Sequence, residues 1–248
     1  MINPMDLTGK RILVTGASSG IGRETAIQLS KLGATVILIA RNEEKLKNTI
    51  SNLEGQSHAF YSYDLTKIEG IEDLVHNIVS VHGSINGFAH CAGIYAMRPI
   101  KLTKYDFLHN TMLINFYSFV ELVRCLGKRN NSDDGASFLG ISSVASVKGN
   151  KSQSAYSASK AAMDGIINPI AKEFSERKIR VNTIIFGMIN TEIYEMFLEQ
   201  GGDPSSLNDQ YLGVSDPKEA ANIVSFLLSD ASKLITGTSL IADAGFLS

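Results

Sequence analysis

Short apolar runs rich in β-branched residues alternate with longer amphipathic runs along almost the whole chain. The runs "RILVTG" and "TVILIA" are typical of buried parallel strands, because apolar residues follow one another without regular polar interruption. The run that ends at Gly33 has apolar residues at helical spacing, and glycine commonly terminates helices. The pattern predicts strands at 11–16, 35–40, 58–65, 85–93, 136–143, 179–187 and 238–245. It predicts helices at 22–33, 43–54, 68–83, 105–128, 156–177 and 216–230.

Strict alternation of strands and helices indicates parallel strands joined by right-handed crossovers. We therefore expect an α/β fold with a doubly wound parallel sheet of about seven strands and helices on both faces. The 248 residues fit one such domain, spanning 1–248. Two segments break the alternation. The segment 130–135 is predicted to be a polar turn, and 190–209 a long irregular loop that forms a substrate lid.

The charge balance excludes some functions. The net charge is −2, and no basic cluster suggests a nucleic-acid or membrane surface. No apolar run approaches the ~18 residues of a membrane span, and we expect a soluble cytoplasmic protein. Cys91 and Cys125 lack metal-site spacing, so we expect free thiols and no metal.

A glycine motif follows the first predicted strand. Gly16, Gly20 and Gly22 are spaced G-x-x-x-G-x-G in "VTGASSGIG". Residues without a Cβ allow a tight strand-to-helix turn and let backbone N–H groups approach a pyrophosphate at the helix N-terminus. At this position in a β–α–β unit, the motif predicts a dinucleotide-binding site.

The end of the second strand bears on the choice of cofactor. Ala40 stands where an acidic residue would bond a ribose 2′-hydroxyl, and Arg41 follows it. An arginine suits a 2′-phosphate by charge and geometry, so we expect NADP(H) to be preferred over NAD(H). The alternative is that Arg41 only begins a solvated turn. Asp64 could accept a bond from the adenine amino group, or could instead be a helix cap.

"AYSASKAAM" places Tyr156 and Lys160 one helical turn apart. Such a pair alone is usually a surface feature. Beside a nicotinamide, however, a tyrosine can move a proton to or from a carbonyl oxygen, and a nearby ammonium should lower the tyrosine pKa.

With "TGASSGIG" at 15–22 and "YSASK" at 156–160, the whole chain resembles the short-chain dehydrogenase/reductase family. A serine, Ser143, lies 13 positions before Tyr156, as in the family pattern, and Asn115 matches the family's helix asparagine. The resemblance implies a single-domain Rossmann fold and a homotetramer. The chain departs from the family at His90-Cys91, where the family has two asparagines, and at Phe186, where it has proline.

The resemblance also implies roles for individual residues. Tyr156 is the proton donor or acceptor, and Lys160 tunes it and holds the nicotinamide ribose. Ser143, favoured over Ser142 by spacing, bonds the substrate oxygen, and Asn115 positions a water. Further cofactor contacts are expected at Ser18, Ser19, Ile21, Leu65, Cys91, Ala92, Gly93, Gly187, Ile189 and Thr191. Thr191 could instead cap the segment that follows it, and His90 is expected to be structural.

The sequence thus predicts an NADPH-dependent ketoreductase of the 3-oxoacyl carrier-protein reductase type, with a carbonyl or alcohol substrate that could be attached to acyl carrier protein. The alternatives are a reductase or dehydrogenase of a sugar, polyol or other small alcohol, and a catalytically silent dinucleotide sensor. A carrier-protein partner would require a basic surface near the site. The candidates for that surface are Lys128, Arg129, Lys172 and Arg177.

Overall fold

Seven parallel strands form one sheet at the centre of the molecule. The computed structural model describes residues 3–95 and 97–248. The strands are β1 (Arg11–Thr15), β2 (Thr35–Ala40), β3 (Ala59–Ser62), β4 (Ile85–His90), β5 (Ser132–Ser143), β6 (Arg180–Phe186) and β7 (Ser239–Ala242). Their order is β3-β2-β1-β4-β5-β6-β7, which confirms the predicted doubly wound fold. The order reverses direction between β1 and β4, and ligands of such sheets bind in the crevice at this point.

Helices cover both faces of the sheet. They are α1 (Gly20–Lys31), α2 (Glu43–Ile50), α3 (Ile71–His82), α4 (Tyr105–Met112), α5 (Ser118–Leu126), α6 (Ser154–Glu173), α7 (Glu192–Glu199) and α8 (Pro217–Leu228). One buried cluster joins α3, α5 and α6 to the sheet, with Phe88 and Phe138 among its fully buried members. A second cluster joins α1, α2 and α8 to the other face. Among the described residues, no helix is long and apolar enough to cross a membrane.

The predicted helix at 105–128 contains an irregularity that its sequence pattern does not reveal. Between α4 and α5, residues Leu113–Tyr117 form a π-helical turn. Asn115 lies in this turn and is fully buried. Single π-turns inside α-helices are frequent at functional sites because they redirect a side chain without ending the helix.

The prediction of a polar turn at 130–135 is wrong for its last four residues, because β5 begins at Ser132. Ser132 pairs with Ile85 of β4. The Asp133 carboxylate accepts hydrogen bonds from the side chains of Ser84 and Asn86. Polar partners at the start of the neighbouring strand therefore allow a polar sequence to join the sheet.

The prediction that 190–209 is irregular is also wrong in part. The segment contains helix α7 and a 3₁₀ turn at Pro204–Leu207. Phe197 belongs to a small buried cluster with Tyr95, Ala145 and Tyr156, and Ile193 packs against this cluster. These contacts give α7 an apolar face. This face holds α7 against the carboxyl end of the sheet.

Candidate active site

A cleft of about 510 Å³ runs along the carboxyl ends of the strands. Its lining comes from the residues at the ends of β1, β2, β3, β4, β5 and β6, and from α6 and α7. The volume lies within the range of ~300–1,000 Å³ that is typical of small-molecule sites. The cleft therefore occupies the position that the strand order predicts for a ligand.

The glycine loop between β1 and α1 forms a cradle that only glycine can build. Gly16 has φ +65°, and a Cβ there would lie 2.7 Å from the Ala92 backbone nitrogen. A Cβ on Gly22 would overlap the Gly16 carbonyl oxygen. At Gly20, with φ +51°, a Cβ would approach the Thr191 methyl group to 3.2 Å. This close backbone packing at a helix N-terminus fits a dinucleotide pyrophosphate.

Every cofactor contact predicted from the sequence lies in the lining of this cleft. They are Gly16, Ser18, Ser19, Gly20, Ile21, Gly22, Arg41, Asp64, Leu65, Cys91, Ala92, Gly93, Tyr156, Lys160, Gly187, Ile189 and Thr191. They come from positions spread over most of the chain, and the fold brings them to one edge of the sheet. The set therefore lines one continuous cleft.

Two of these residues also have local hydrogen bonds. Asp64 Oδ1 accepts from the Thr66 backbone nitrogen at 3.0 Å and from its hydroxyl at 2.9 Å, which makes Asp64 the start of a turn. Thr191 stands at the N-cap position of α7 without a side-chain capping bond, and its hydroxyl donates to the Ile189 carbonyl at 3.3 Å. The alternative that Asp64 caps a helix is therefore wrong, because the helical turn that follows starts at Ile68, with Lys67 at its N-cap position. Thr191 does occupy the N-cap position of α7, but its side chain makes no capping bond.

Tyr156 and Lys160 are both buried on the first turns of α6, with 8% and 5% of their surface exposed. Burial raises the pKa of Tyr156 to about 12, although the hydrogen bond with Ser143 opposes this rise. Burial also lowers the pKa of Lys160 to about 8. The Lys160 ammonium donates to the Ile141 carbonyl at 2.7 Å and lies 5.8 Å from the centre of the Tyr156 ring. The expectation that Lys160 sets a lowered tyrosine pKa is therefore wrong for this structure, since the desolvation of Tyr156 dominates.

The two candidate serines point to different partners. The Ser143 hydroxyl bonds with the Tyr156 phenol and accepts from the Ala145 backbone nitrogen at 3.2 Å. The Ser142 hydroxyl donates to the Asp164 carboxylate at 2.8 Å. Ser143 is therefore the serine whose side chain lies beside the phenol.

Asn115 lies behind the cleft rather than in its lining. Its Oδ1 accepts from the Ile94 backbone nitrogen at 2.8 Å, and its Nδ2 donates to the Ile94 carbonyl at 3.1 Å. Nδ2 also donates to the Ser159 hydroxyl at 2.9 Å. Both donors of the amide are thus used, and the side chain fixes the loop after β4 to helix α6.

His90, at the end of β4, is fully buried below the cleft. Its Nδ1 lies 3.0 Å from the Thr15 hydroxyl, and its Nε2 lies 3.4 Å from the Ser118 hydroxyl. Burial, assisted by the charge of Lys160, lowers the pKa of His90 to about 3. The ring is therefore neutral and joins three elements of the core, as expected for a structural residue. Burial likewise raises the pKa of the adjacent Cys91 thiol to about 12.

The structure adds lining residues that the sequence patterns did not suggest. Tyr95 packs edge-on against Tyr156, with ring centres 5.1 Å apart, and its hydroxyl accepts from Gln153 at 2.8 Å. Lys45 lines the cleft beside Arg41. The only sequence signal for Lys45 was its place in the first turn of a helix that follows the predicted phosphate contact.

None of the basic residues suggested for a carrier-protein surface lines the cleft. Lys128 pairs with Glu72, and Arg177 pairs with Asp134 at 2.8 Å. The Arg177 guanidinium also donates to the Ser132 carbonyl, at the first residue of β5. These residues therefore lie near the amino end of β5, whereas the cleft lies at the carboxyl ends of the strands.

The doubly wound sheet, the glycine cradle and the buried Tyr–Lys pair together define a dinucleotide-binding oxidoreductase. Comparison with known proteins narrows this class. Residues 16–247 match the family described as Enoyl-(Acyl carrier protein) reductase. Carbonyl reductase family member 4 of Danio rerio is 32% identical over 94% of this chain and 96% of its own length.

Two further relatives differ in their named activities. The 3-oxoacyl-[acyl-carrier-protein] reductase FabG of Thermotoga maritima is 32% identical, covering 98% of this chain and 100% of its own length. An NAD-dependent glycerol dehydrogenase of Listeria innocua is 31% identical, covering 97% of this chain and 95% of its own. A solved dehydrogenase/reductase from Sinorhizobium meliloti superposes with a TM-score of 0.90 at 26% identity, covering 99% of this chain and 98% of its own. The chain belongs to the short-chain dehydrogenase/reductase family, and it is an oxidoreductase that uses a nicotinamide cofactor.

Proposed function

We propose that the protein is an NADP(H)-dependent ketoreductase that reduces 3-oxoacyl thioesters to 3-hydroxyacyl thioesters. The observation that carries the proposal is the apolar lining of the cleft beside the Tyr156 phenol, where Tyr95 and Ala145 are buried in one cluster with Tyr156. Four further apolar residues of this cluster also line the cleft: Met188, Ile193, Met196 and Leu207. An acyl chain gains free energy by leaving water for such a surface, and methionines adapt to chains of different shape.

The polar groups in the same part of the cleft are largely engaged within the protein. Gln153 donates to Tyr95 and accepts from the Asn150 backbone nitrogen at 2.9 Å. Gln210 accepts from the Met188 backbone nitrogen at 2.8 Å and donates to the Met188 carbonyl at 3.0 Å. The hydroxyl groups of a polyol would lose their hydrogen bonds to water in this part of the cleft. They would find these protein groups already hydrogen-bonded, which costs free energy. The cleft therefore favours an acyl substrate over the sugar or polyol alternative that the glycerol dehydrogenase relative suggests.

The proton chemistry follows from the burial of Tyr156. With its pKa raised to about 12, the phenol is protonated at neutral pH and can act as the acid that protonates a carbonyl oxygen during reduction. When bound, the nicotinamide cofactor supplies the hydride. The Ser143 hydroxyl, bonded to the phenol, would donate to the same substrate oxygen as negative charge develops on it. In the oxidation direction, the Tyr156 phenolate would be the base.

Lys160 would stabilise the phenolate that remains after proton transfer. Its pKa of about 8 leaves the amine mostly protonated at neutral pH, and its Nζ is fixed by the Ile141 carbonyl. A Cβ at Gly93 would press on the Asn115 Oδ1 at 3.3 Å. We assign Asn115 the positioning of this region through Ile94 and Ser159. The predicted water-holding role of Asn115 is part of the same proposal.

The preference for NADP(H) rests on the residues that follow β2. Ala40 supplies no carboxylate that would repel a 2′-phosphate, and Arg41 is exposed at the rim of the cleft. The segment 190–209 is the proposed lid, since α7 begins beside Gly20 and contributes to the apolar lining.

We also propose that the chain forms a homotetramer, as the family resemblance implies. Exposed apolar side chains support this assembly. Tyr105, Leu108 and Tyr117 are 74%, 39% and 38% exposed along the α4–α5 helix, and Ile241 of β7 is 55% exposed. Light scattering coupled to gel filtration should give four times the chain mass of 26.9 kDa, and a monomer would contradict the proposal.

The test of the proposed activity is a screen that follows NADPH oxidation with two groups of substrates. We expect turnover with short 3-oxoacyl thioesters and little turnover with keto-sugars or dihydroxyacetone. Activity restricted to the sugar group would refute the assignment of an acyl substrate. Equal rates with NADH and NADPH would refute the cofactor preference but leave the acyl substrate intact.

A further inference from the structure

An ion pair joins the adenosine end of the cleft to the proposed lid. Lys45 Nζ of α2 lies 2.9 Å from Glu192 Oε1, at the first residue of α7, although the two residues are 147 positions apart. The Ser19 hydroxyl, in the glycine loop, also bonds with the Glu192 carboxylate. These bonds, led by the one from Lys45, lower the pKa of Glu192, so the carboxylate is charged at neutral pH. The pair therefore connects α2, the glycine loop and α7.

Both members of the pair face the space where a dinucleotide would lie. Lys45 and Glu192 line the main cleft together with Arg41 and Asn42. They also line a smaller adjoining cavity of about 320 Å³, in which Arg23 is a further lining residue. A group that reached past Arg41 toward α2 would meet the Lys45 ammonium and, next to it, the Glu192 carboxylate.

The ion pair is weak enough to be exchanged. The side chains of Lys45 and Glu192 are 53% and 54% exposed, and solvent screens pairs of this kind strongly. A phosphate carries more charge and more acceptor oxygens than a carboxylate, so it competes well for a lysine. Glu192 would repel the same phosphate as long as it stays beside Lys45.

We propose that Lys45 is a second ligand of the cofactor's 2′-phosphate, beside Arg41, and that Glu192 is an internal competitor which this phosphate displaces from Lys45. The inference rests on the proposed preference for NADP(H). It adds a specificity residue on α2 and makes α7 lose its contact with Lys45 when a 2′-phosphorylated cofactor binds. A cofactor without the 2′-phosphate would leave the Lys45–Glu192 pair intact.

The test uses equilibrium binding to the full-length protein, measured by calorimetry. The probes are 2′,5′-ADP and 5′-AMP, which differ by the 2′-phosphate. Lys45→Ala should weaken 2′,5′-ADP binding about tenfold, as expected for one charge-assisted hydrogen bond, and should leave 5′-AMP binding unchanged. Lys45→Arg should restore most of the affinity. Glu192→Gln should tighten 2′,5′-ADP binding by up to about fivefold, the range of an exposed ion pair.

Two control variants make the same charge changes elsewhere on the same two helices. Lys47→Ala removes a lysine of α2 that pairs with Glu43 and Glu44 and lies outside the cleft lining. Glu195→Gln removes an exposed carboxylate from α7. Both should leave the affinity for 2′,5′-ADP within about twofold of the wild type, since charges that are exposed and distant are screened.

The outcomes separate this inference from the proposed function. If Lys45→Ala and Lys47→Ala weaken 2′,5′-ADP equally, Lys45 is not a phosphate ligand, although the preference for NADP(H) can stand on Arg41. If Glu192→Gln binds 2′,5′-ADP no more tightly than Glu195→Gln, Glu192 is not a competitor. If the wild type binds 2′,5′-ADP no better than 5′-AMP, the preference for NADP(H) fails, and this inference fails with it.

Discussion

His90, buried below the active site, should make the fold sensitive to mild acid. His90 is 0% exposed, and its ring packs 5.6 Å from that of Phe119. The Ser118 hydroxyl donates to the Ile114 carbonyl at 2.7 Å, so its oxygen is available to accept from His90 Nε2. The Thr15 hydroxyl oxygen accepts from the Ala92 backbone nitrogen, so its hydrogen can point to His90 Nδ1. These partners favour the neutral ring with the proton on Nε2.

The size of the stability change follows from the pKa of His90 in the folded chain and in the unfolded chain. In the folded chain the pKa of His90 is about 3, whereas the ordinary value is 6.5. As the pH falls below 6.5, the unfolded chain binds a proton that the folded chain does not, so stability is lost until the pH reaches about 3. Between pH 7 and pH 5, His90 alone should reduce the free energy of unfolding by about 2 kcal/mol.

The assay compares wild type and His90→Asn by urea denaturation at pH 7, 6 and 5. Circular dichroism is the suitable probe because the chain contains no tryptophan. The variant can be less stable at every pH, since it loses packing in the core. The difference in free energy of unfolding between wild type and variant should nevertheless shrink by about 2 kcal/mol between pH 7 and pH 5. His76→Asn, an exposed replacement on α3, is the matched control and should show no such convergence.

A constant stability difference between wild type and His90→Asn from pH 7 to pH 5 would contradict this prediction. It would mean that the folded protein admits a proton on His90 as easily as the unfolded chain does. The burial of the ring, and the network that connects it to Thr15 and Ser118, would then have no electrostatic consequence.

Three further substitutions test the glycine cradle, the proposed contact of Arg41 with the 2′-phosphate and the positioning role of Asn115. Gly16→Ala should destabilise the fold by more than ~1 kcal/mol and abolish cofactor binding, because its Cβ would lie 2.7 Å from the Ala92 nitrogen at φ +65°; thermal unfolding and titration with NADPH measure both effects. Arg41→Asp should shift the ratio of kcat/KM values toward NADH by at least about tenfold, and an unchanged ratio would show that Arg41 does not contact the phosphate. Asn115→Ala should cost about 2–4 kcal/mol of stability, because it leaves both polar groups of Ile94 without their partner; a denaturation midpoint equal to that of the wild type would contradict the positioning role.

The sheet was predictable because each strand has a strong local signal. Parallel strands covered on both faces must be apolar throughout, and "TVILIA" coincides with β2, Thr35–Ala40. The segment 190–209 was predicted poorly although a signal was present, since Ile193 and Phe197 have helical spacing. The irregular composition around them obscured it. The start of β5 had no apolar signal, because Asp133 is stabilised by side chains of another strand.

The predicted cofactor contacts all lie in the cleft, but Tyr95, Lys45 and the electrostatics of the site could not be predicted from the sequence. Motif spacing located Tyr156, Lys160 and Ser143, and the fold brings them together. The pKa of Tyr156 depends on burial, which involves Tyr95 and other residues far away in the sequence, and a local pattern cannot supply this. The contact of Lys45 with α7 is likewise a product of the fold alone.

The role of Tyr156 as the proton donor is tested most directly by measuring NADPH oxidation with a short 3-oxoacyl thioester for wild type and for Tyr156→Phe. The wild type should turn over this substrate, and kcat of the variant should be lower by at least about 10²-fold, because the proton donor is gone. The affinity for NADPH, measured by fluorescence titration, should stay the same in both proteins. Turnover by Tyr156→Phe at a rate close to that of the wild type would contradict the assignment of Tyr156 as the acid that protonates the carbonyl oxygen.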